Sequence, residues 1–296
     1  MTEAEFIAAL RGLPLHPGAR GLADDVAIVA GLVVTMDTLV EGVHFRAADA
    51  PADVAWKLVA TNLSDLAAKG ARVEGAMVSY PLGDDGWDRA FLAGLDAALR
   101  AMACPLIGGD TVTLPAGAPR ILTLTALGGD AHAPARSGAM PGDALWVTGT
   151  IGDAGAGLAI ADGGAGPAEL AAAYLRPQPR LAEGRTLAPH VHAMMDVSDG
   201  LLVDAARMAA ASDVAITVDL ALVPLSNAYR AYSGDRLAAV TAGDDYQLLF
   251  AAPGDWTPPV AATRIGGITP GSGLTLTDAG TPVPLPASLG YQHRGR

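Results

Sequence analysis

Little cysteine and little lysine mark this 296-residue chain, and each shortage closes off a class of protein. A single cysteine, Cys104, excludes an intramolecular disulfide and a cysteine-rich zinc site. The only lysines are Lys57 and Lys69; neither follows a phosphate-loop glycine pattern or precedes Ser or Thr, so no Walker-type loop is present. There is no HExxH zinc helix and no G-x-S-x-G nucleophile elbow. No apolar run approaches the roughly 18 residues a membrane span needs. The opening MTEAEFIAAL lacks the basic and apolar regions of a secretory signal. A cytoplasmic location with no membrane partner is therefore expected. Basic charge is also scarce: Lys+Arg is 19 against 31 Asp+Glu, a net charge of -12, and no basic stripe runs along the chain. Nucleic acid is not an expected partner.

What is present is a foldable chain with an unusual acid balance. Hydrophobic residues make up 51%, and the 36 glycines and 21 prolines are spread along the sequence, which excludes disorder and collagen. Strand-like alternation around Gly31 (24–37) reads as a hairpin, and a helix is expected from Pro51 to a C-cap at Gly70. A second helix passes through Phe91, Leu95, Leu99 and Met102, with Trp56, Trp87 and Phe91 read as core. LIGGDTV reads as a strand breaking into a glycine turn, followed by the alternating strand RILTLTALGG. Beyond a boundary at 138/139, where Pro141 and several glycines interrupt two strand patterns, helices are expected at 153–161, 168–175, 180–188 and 201–211. Strands are expected at 143–149, 193–197, 214–219 and 247–252. The fold class is α+β: two mixed α/β domains, 1–138 and 139–296.

The acids are 25 Asp and only 6 Glu. Asp is the shorter ligand, suited to turns and to hard cations. Asp24, Asp25, Asp37, Asp65, Asp110, Asp196, Asp199, Asp244 and Asp245 stand in six motifs of one style, beside a strand end or a glycine. Converging carboxylates would repel strongly without cations, and Mg²⁺ held by carboxylates and phosphate oxygens is the natural partner. Single motifs also have plainer readings: Asp before Gly as turn chemistry, Asp65 with Lys69 as a surface i,i+4 pair, Asp199 as a helix cap, His44 as a core histidine. Repetition of the pattern, not any one residue, favours a site. The glycine-rich entry to a helix at 149–160 offers backbone amides to a phosphate or serves close packing. His190 and His192, with no Cys or Glu beside them, read as surface residues.

In this order, VTMDTLVEGVHF, NLSDLAAKGA, IGGDT, ARSG, DVSDGL and GDDYQLLF resemble the thiamine-monophosphate kinase family, within the superfamily that includes aminoimidazole ribonucleotide synthetase. The match runs from about Asp24 to Tyr291. The resemblance implies transfer of the ATP γ-phosphate to thiamine monophosphate by a homodimer joined through its N-terminal sheet, with the active site between the domains. It implies Mg²⁺ ligands at Asp25, Thr35, Met36, Asp37, Asp65, Asp110, Asp196 and Asp199. ATP contacts fall at Gly109, Asp110, Arg136 and Ser198, and substrate contacts at His44, Asp244 and Tyr291; Asp110, Asp199 and Arg136 are the expected catalytic residues. Three positions depart from the family pattern: Ala23 replaces a glycine, Met36 a small polar residue, and Asp244 a glutamate one methylene longer. Rival readings are a sister ATP enzyme, such as a selenide dikinase or a purine synthetase, and a non-catalytic nucleotide-binding protein. Cys104 lies mid-chain rather than near the N-terminus, where a selenide enzyme would need it.

Overall fold

In the computed structural model, which describes residues 1–293, the expected hairpin forms as β1 (Ala27–Val29) and β2 (Leu32–Val40). Ala30 and Gly31 between them both have positive φ, 52° and 80°, the backbone twist a two-residue hairpin turn requires. With β3 (Arg72–Leu82), β4 (Leu106–Thr113) and β5 (Ile121–Gly129) these strands make a five-stranded sheet of order β1-β2-β5-β3-β4. Only the β3–β4 pair is parallel. The glycines of IGGDTV do not end the strand; β4 continues through them, because a Cβ on Gly109 would fall 2.1 Å from the Val78 carbonyl oxygen and glycine lets the two backbones meet.

Two helices cover one face of this sheet. A short α1 (Glu3–Leu10), closed by a Thr2–Glu5 capping box, precedes them. Helix α2 (Pro51–Ala68) has proline in its first turn and ends at Gly70, whose φ of 61° makes the left-handed stop. Helix α3 (Asp85–Ala101) is capped by Asp84, which accepts from the Trp87 amide at 2.9 Å. Leu58, Leu63, Phe91 and Leu95 pack from the helices onto Leu122, Leu124 and Ala126. Trp87 stacks on Phe91 at 5.3 Å, a core role as expected. The other face, bearing Met36, Met77, Val112 and Ile121, is exposed.

The second half holds a seven-stranded sheet of β6 (Asp143–Thr148), β7 (Ala193–Asp196), β8 (Ala215–Asp219), β9 (Leu248–Pro253), β10 (Ala262–Thr269), β11 (Gly273–Asp278) and β12 (Thr281–Val283). Its order is β12-β11-β8-β10-β6-β9-β7, parallel only at β8–β11. Helices α4 (Asp153–Ala161), α5 (Ala168–Leu175), α6 (Leu181–Leu187), α7 (Leu201–Ser212), α8 (Asn227–Tyr232) and α9 (Arg236–Thr241) complete it. No helix among the described residues is long and apolar enough to cross a membrane.

Helix α2 is the element both halves share. It packs on β2, β5 and α3 to one side and on α6 and β7 to the other. A small-residue seam makes the second contact possible, with Ala67, Ala68 and Ala188 packed among Leu187, Met194, Leu248 and Phe250. The fit is tight: a Cβ on Gly184 of α6 would lie 1.9 Å from the Ala67 carbonyl oxygen. Gly184→Val should therefore force the helices apart and lower stability by on the order of 1–3 kcal/mol. Thermal unfolding checks this, and a melting temperature equal to that of the unaltered protein would refute the close packing.

Candidate active site

The cleft between the two halves has a volume of about 970 Å³. One wall is β2, whose partner β1 covers only Leu32–Val34 and leaves the stretch from Met36 to Val40 facing the opening. The opposite wall is α4, the loop before β9, and the C-terminal segment through His293. At its floor, Asp25, Asp65 and Asp196 each offer a carboxylate oxygen within 4.8 Å of the other two. Each comes from a different element: Asp25 from the loop before β1, Asp65 from α2, Asp196 from the end of β7. Asp37 and Asp199 line the same cleft.

Burial and mutual repulsion govern these acids. Burial, then the negative charges of Asp25 and Asp199, pushes Asp37 up to about 6. Asp196 is pushed up to about 8 by burial and then by Asp25, against a hydrogen bond donated by Ser64 Oγ at 2.6 Å. Asp65 lies well above the usual carboxylate range, through burial and then Asp37, Asp196 and Asp25, although the Thr35 hydroxyl donates to it. Asp25 is paired with Arg136 and has Lys69 Nζ at 3.8 Å. Yet its Oδ2 is buried and takes no hydrogen bond among the described residues. Three converging acids, one with a buried oxygen that lacks a hydrogen bond and has only the more distant Lys69 ammonium, make an all-oxygen donor set, which fits a hard divalent cation.

Neighbouring Asp24 is excluded from this set. Burial acts to raise it, but the Lys69 ammonium at 2.6 Å and then Arg20 outweigh that and hold it below the usual range. Lys69 is fully buried and also donates to the Met194 carbonyl at 3.2 Å, so it joins the two halves. The surface pair of Asp65 with Lys69 that helical spacing allowed does not form; both are buried, and Lys69 turns to Asp24.

At the other end of the cleft stand His44, Asp244 and Tyr291. His44 Nδ1 accepts from the Val40 amide at 3.0 Å, which leaves its proton on Nε2. Burial and then His293, 5.4 Å away, lower its pKa, so the ring is a neutral donor. Asp244 is already balanced: Lys57 Nζ lies 2.6 Å from Oδ2, and the Tyr246 hydroxyl donates to Oδ1 at 3.0 Å. Asp244 and Tyr246 have φ of 68° and 49°, left-handed backbone that costs energy in non-glycine residues. Crossed bonds hold them there: Asp244 N to Ser198 O at 2.7 Å and Tyr246 N to Val197 O at 2.8 Å.

Ser198 lines the cleft. Thr35 lies behind β2 on the buried face, against Asp65. The Met36 side chain is on the opposite face from Asp37 and is 64% exposed. Arg136 reaches the cluster through Asp25. Gly109 and Asp110 are not brought in; both lie exposed on the edge strand β4, and Asp110 shares the outer-face row Thr38–Thr123–Ser79–Asp110. At the glycine-rich entry to α4 the buried Asp245 carboxylate accepts from Gly152 N at 2.7 Å and Ala154 N at 3.4 Å, and Gly155 lines the cleft. His192 is half-buried rather than a free surface residue, bonded to Asp143 at 2.9 Å. Lys57, Lys69 and His293 escaped the sequence reading. Lys57, Thr61, Asp65 and Lys69 recur every fourth residue along α2, a polar stripe that was the available signal.

The chain matches the models of AIR synthase related protein, N-terminal domain, over residues 23–129 and C-terminal domain over 140–279. It is 38% identical to thiamine-monophosphate kinase of Caulobacter vibrioides over 99% of this chain and 91% of the relative. It is 38% identical to the Escherichia coli K12 enzyme of the same name, over 79% and 76%. The chain belongs to the thiamine-monophosphate kinase family. It is also similar to the solved complex of AaThiL with AMPPCP and TMP, at 30% identity and a TM-score of 0.86, covering 99% of this chain and 97% of that one. This kinase-family chain thus sets its carboxylate cluster between the two domains that the family models describe.

The raised acids give a pH dependence whose sign can be worked out. Above an ordinary 3.8 and up to folded values of about 6 and about 8, Asp37 and Asp196 hold more protons folded than unfolded. Their contribution is therefore complete below the ordinary value and is lost as pH rises through the folded ones. Metal-free protein should melt several degrees lower at about pH 8.5 than at about pH 6.5, and added Mg²⁺ should restore the loss. A metal-free melting temperature that rises across this range would contradict the assignment.

Proposed function

We propose that this protein phosphorylates thiamine monophosphate to thiamine diphosphate by direct in-line transfer of the ATP γ-phosphate, as a cytoplasmic, Mg²⁺-dependent homodimer. The single observation that carries the metal part of this reading is the trio Asp25, Asp65 and Asp196, with a buried Asp25 oxygen that faces Lys69 at 3.8 Å but takes no hydrogen bond among the described residues. Asp25, Asp37, Asp65, Asp196 and Asp199 would hold the magnesium, with Thr35 supporting Asp65. When bound, Mg²⁺ supplies the positive charge that lets two polyanionic phosphates approach.

The chain's own residues divide the remaining work. A phosphate acceptor, with a second pKa of about 6, is mostly dianionic at neutral pH, so no side chain is required as a strong base. One of its oxygens attacks the γ-phosphorus as the bond to the ADP oxygen breaks, and ADP leaves with that electron pair. Arg136, which pairs with Asp25, would add planar donors to a phosphate. Neutral His44 offers its Nε2–H to the substrate, and Tyr291 offers a π face to the thiazolium cation. Asp244, its charge matched by Lys57, would act on substrate as a fixed hydrogen-bond acceptor rather than a free anion. In this reading residues 1–138 and 139–296 each supply one wall.

Asp110 and Gly109 fit the same reading through a second copy. The outer face of the five-stranded sheet exposes Met36, Met77, Val112 and Ile121 with Asp110 among them. Pairing of two such faces would bury that apolar surface and carry Asp110 of the partner subunit toward the cleft.

Phosphorus NMR after incubation with ATP, Mg²⁺ and thiamine monophosphate tests the reaction. A diphosphate signal on thiamine, dependent on both ATP and Mg²⁺, is expected; ADP without it would indicate a different acceptor. Asp110→Ala should abolish turnover with circular dichroism unchanged, and mixing it with inactive Asp65→Asn should regain activity through mixed dimers. A monomer by light scattering would refute the shared site.

A further inference from the structure

The loop Val197–Gly200 between β7 and α7 presents Ser198 and Asp199 to the cleft, and nearly every polar group on it is already held. Its carbonyls are taken by neighbouring segments: Val197 O by Tyr246 N at 2.8 Å, Ser198 O by Asp244 N at 2.7 Å, Asp199 O by Tyr291 N at 2.9 Å. Its amides are taken from inside the molecule. Asp204 Oδ2 accepts from Ser198 N at 3.1 Å and from Asp199 N at 3.2 Å. Asp204 is fully buried. It is not a helix cap in the ordinary sense, because the amides it takes lie before α7 rather than in its first turn.

The second arm of this device is Arg207, one turn along α7. Its Nη1 lies 2.8 Å from Asp204 Oδ1 and 2.6 Å from Asp199 Oδ2. One nitrogen thus fixes both the buried anchor and a carboxylate that lines the cleft. Neither Asp204 nor Arg207 lines the cleft itself. A ligand carboxylate held by an outer partner keeps its orientation without spending the metal's own binding energy to order it.

We propose that Asp204 and Arg207 are positioning residues: Asp204 sets the backbone that carries Ser198 and Asp199, and Arg207 aims the Asp199 carboxylate into the cleft. This rests on the reading of Asp199 as a magnesium ligand. Both Arg207 contacts pass through a single nitrogen, so an ammonium group can replace the guanidinium, whereas an apolar side chain of similar length cannot.

The test uses the full chain and Mn²⁺, with free ion followed by electron paramagnetic resonance. Arg207→Met should weaken Mn²⁺ binding by about 10-fold or more, and the Mg²⁺ concentration for half-maximal phosphorylation should rise in parallel. Its metal-free melting temperature should fall as well, since buried Asp204 loses its cation, so Mn²⁺ binding is measured well below that temperature. Arg207→Lys should recover most of the affinity. Asp204→Asn should lose binding in the same direction, and the two Arg207 variants decide the matter if it does not fold. Unchanged Mn²⁺ binding in Arg207→Met overturns the proposal, as does failure of Arg207→Lys to recover it. An unaltered protein that binds Mn²⁺ but does not phosphorylate thiamine monophosphate would sink the proposed reaction while leaving this test readable.

Discussion

Bringing carboxylates together away from water is the constraint around which the molecule is arranged. Two unit charges separated by the 4.8 Å that bounds the Asp25, Asp65 and Asp196 oxygens repel by roughly 3 kcal/mol at an effective dielectric of about 20. Three such pairs would be a large load on a domain of ordinary stability. The fold offsets part of it with cations of its own. Arg136 pairs with Asp25, and buried Lys69 neutralises Asp24 while approaching Asp25. Burial and the repulsion left over show together as raised pKa values at Asp37, Asp65 and Asp196, and it is this unbalanced charge that a divalent cation would satisfy.

Helix α2 is the structural answer to that constraint. It lies against the first sheet on one side and the second domain on the other, so its few polar side chains are drawn to the junction. Asp65 points into the cluster, Ser64 to Asp196, Lys69 to Asp24 and Lys57 to Asp244. Each of the last three contacts crosses a long stretch of sequence. Alanine and glycine at the seam with α6 are the counterpart: they allow the close approach that puts those polar groups within hydrogen-bonding reach.

Loops through which the second domain lines the cleft obey a different logic. The segments around Ser198, Asp244 and Tyr291 have little regular structure, and they gain rigidity by bonding to one another's backbones. Two left-handed non-glycine residues in the turn at 243–246 show that this cross-bracing is strong enough to hold a costly conformation.

Much of this was legible in residue order. Strand alternation and proline–glycine punctuation marked β1, β2, α2 and most elements up to β9, because those patterns are local. Helices α8 and α9, of six residues each, were too short for a helical period to register, and β10 carries adjacent glycines that break strand alternation. The repeated aspartate motifs gave the chemistry of the site, since residue type and spacing suffice to suggest oxygen ligands. They could not say which aspartates meet. Only the tertiary structure separated Asp25 from Asp24 by giving the latter to Lys69, bound the Gly152 and Ala154 amides to Asp245, and set Asp110 on the far face of its sheet. Those outcomes depend on contacts between residues far apart in the chain, where burial and the competition for a few cations decide what a carboxylate can do.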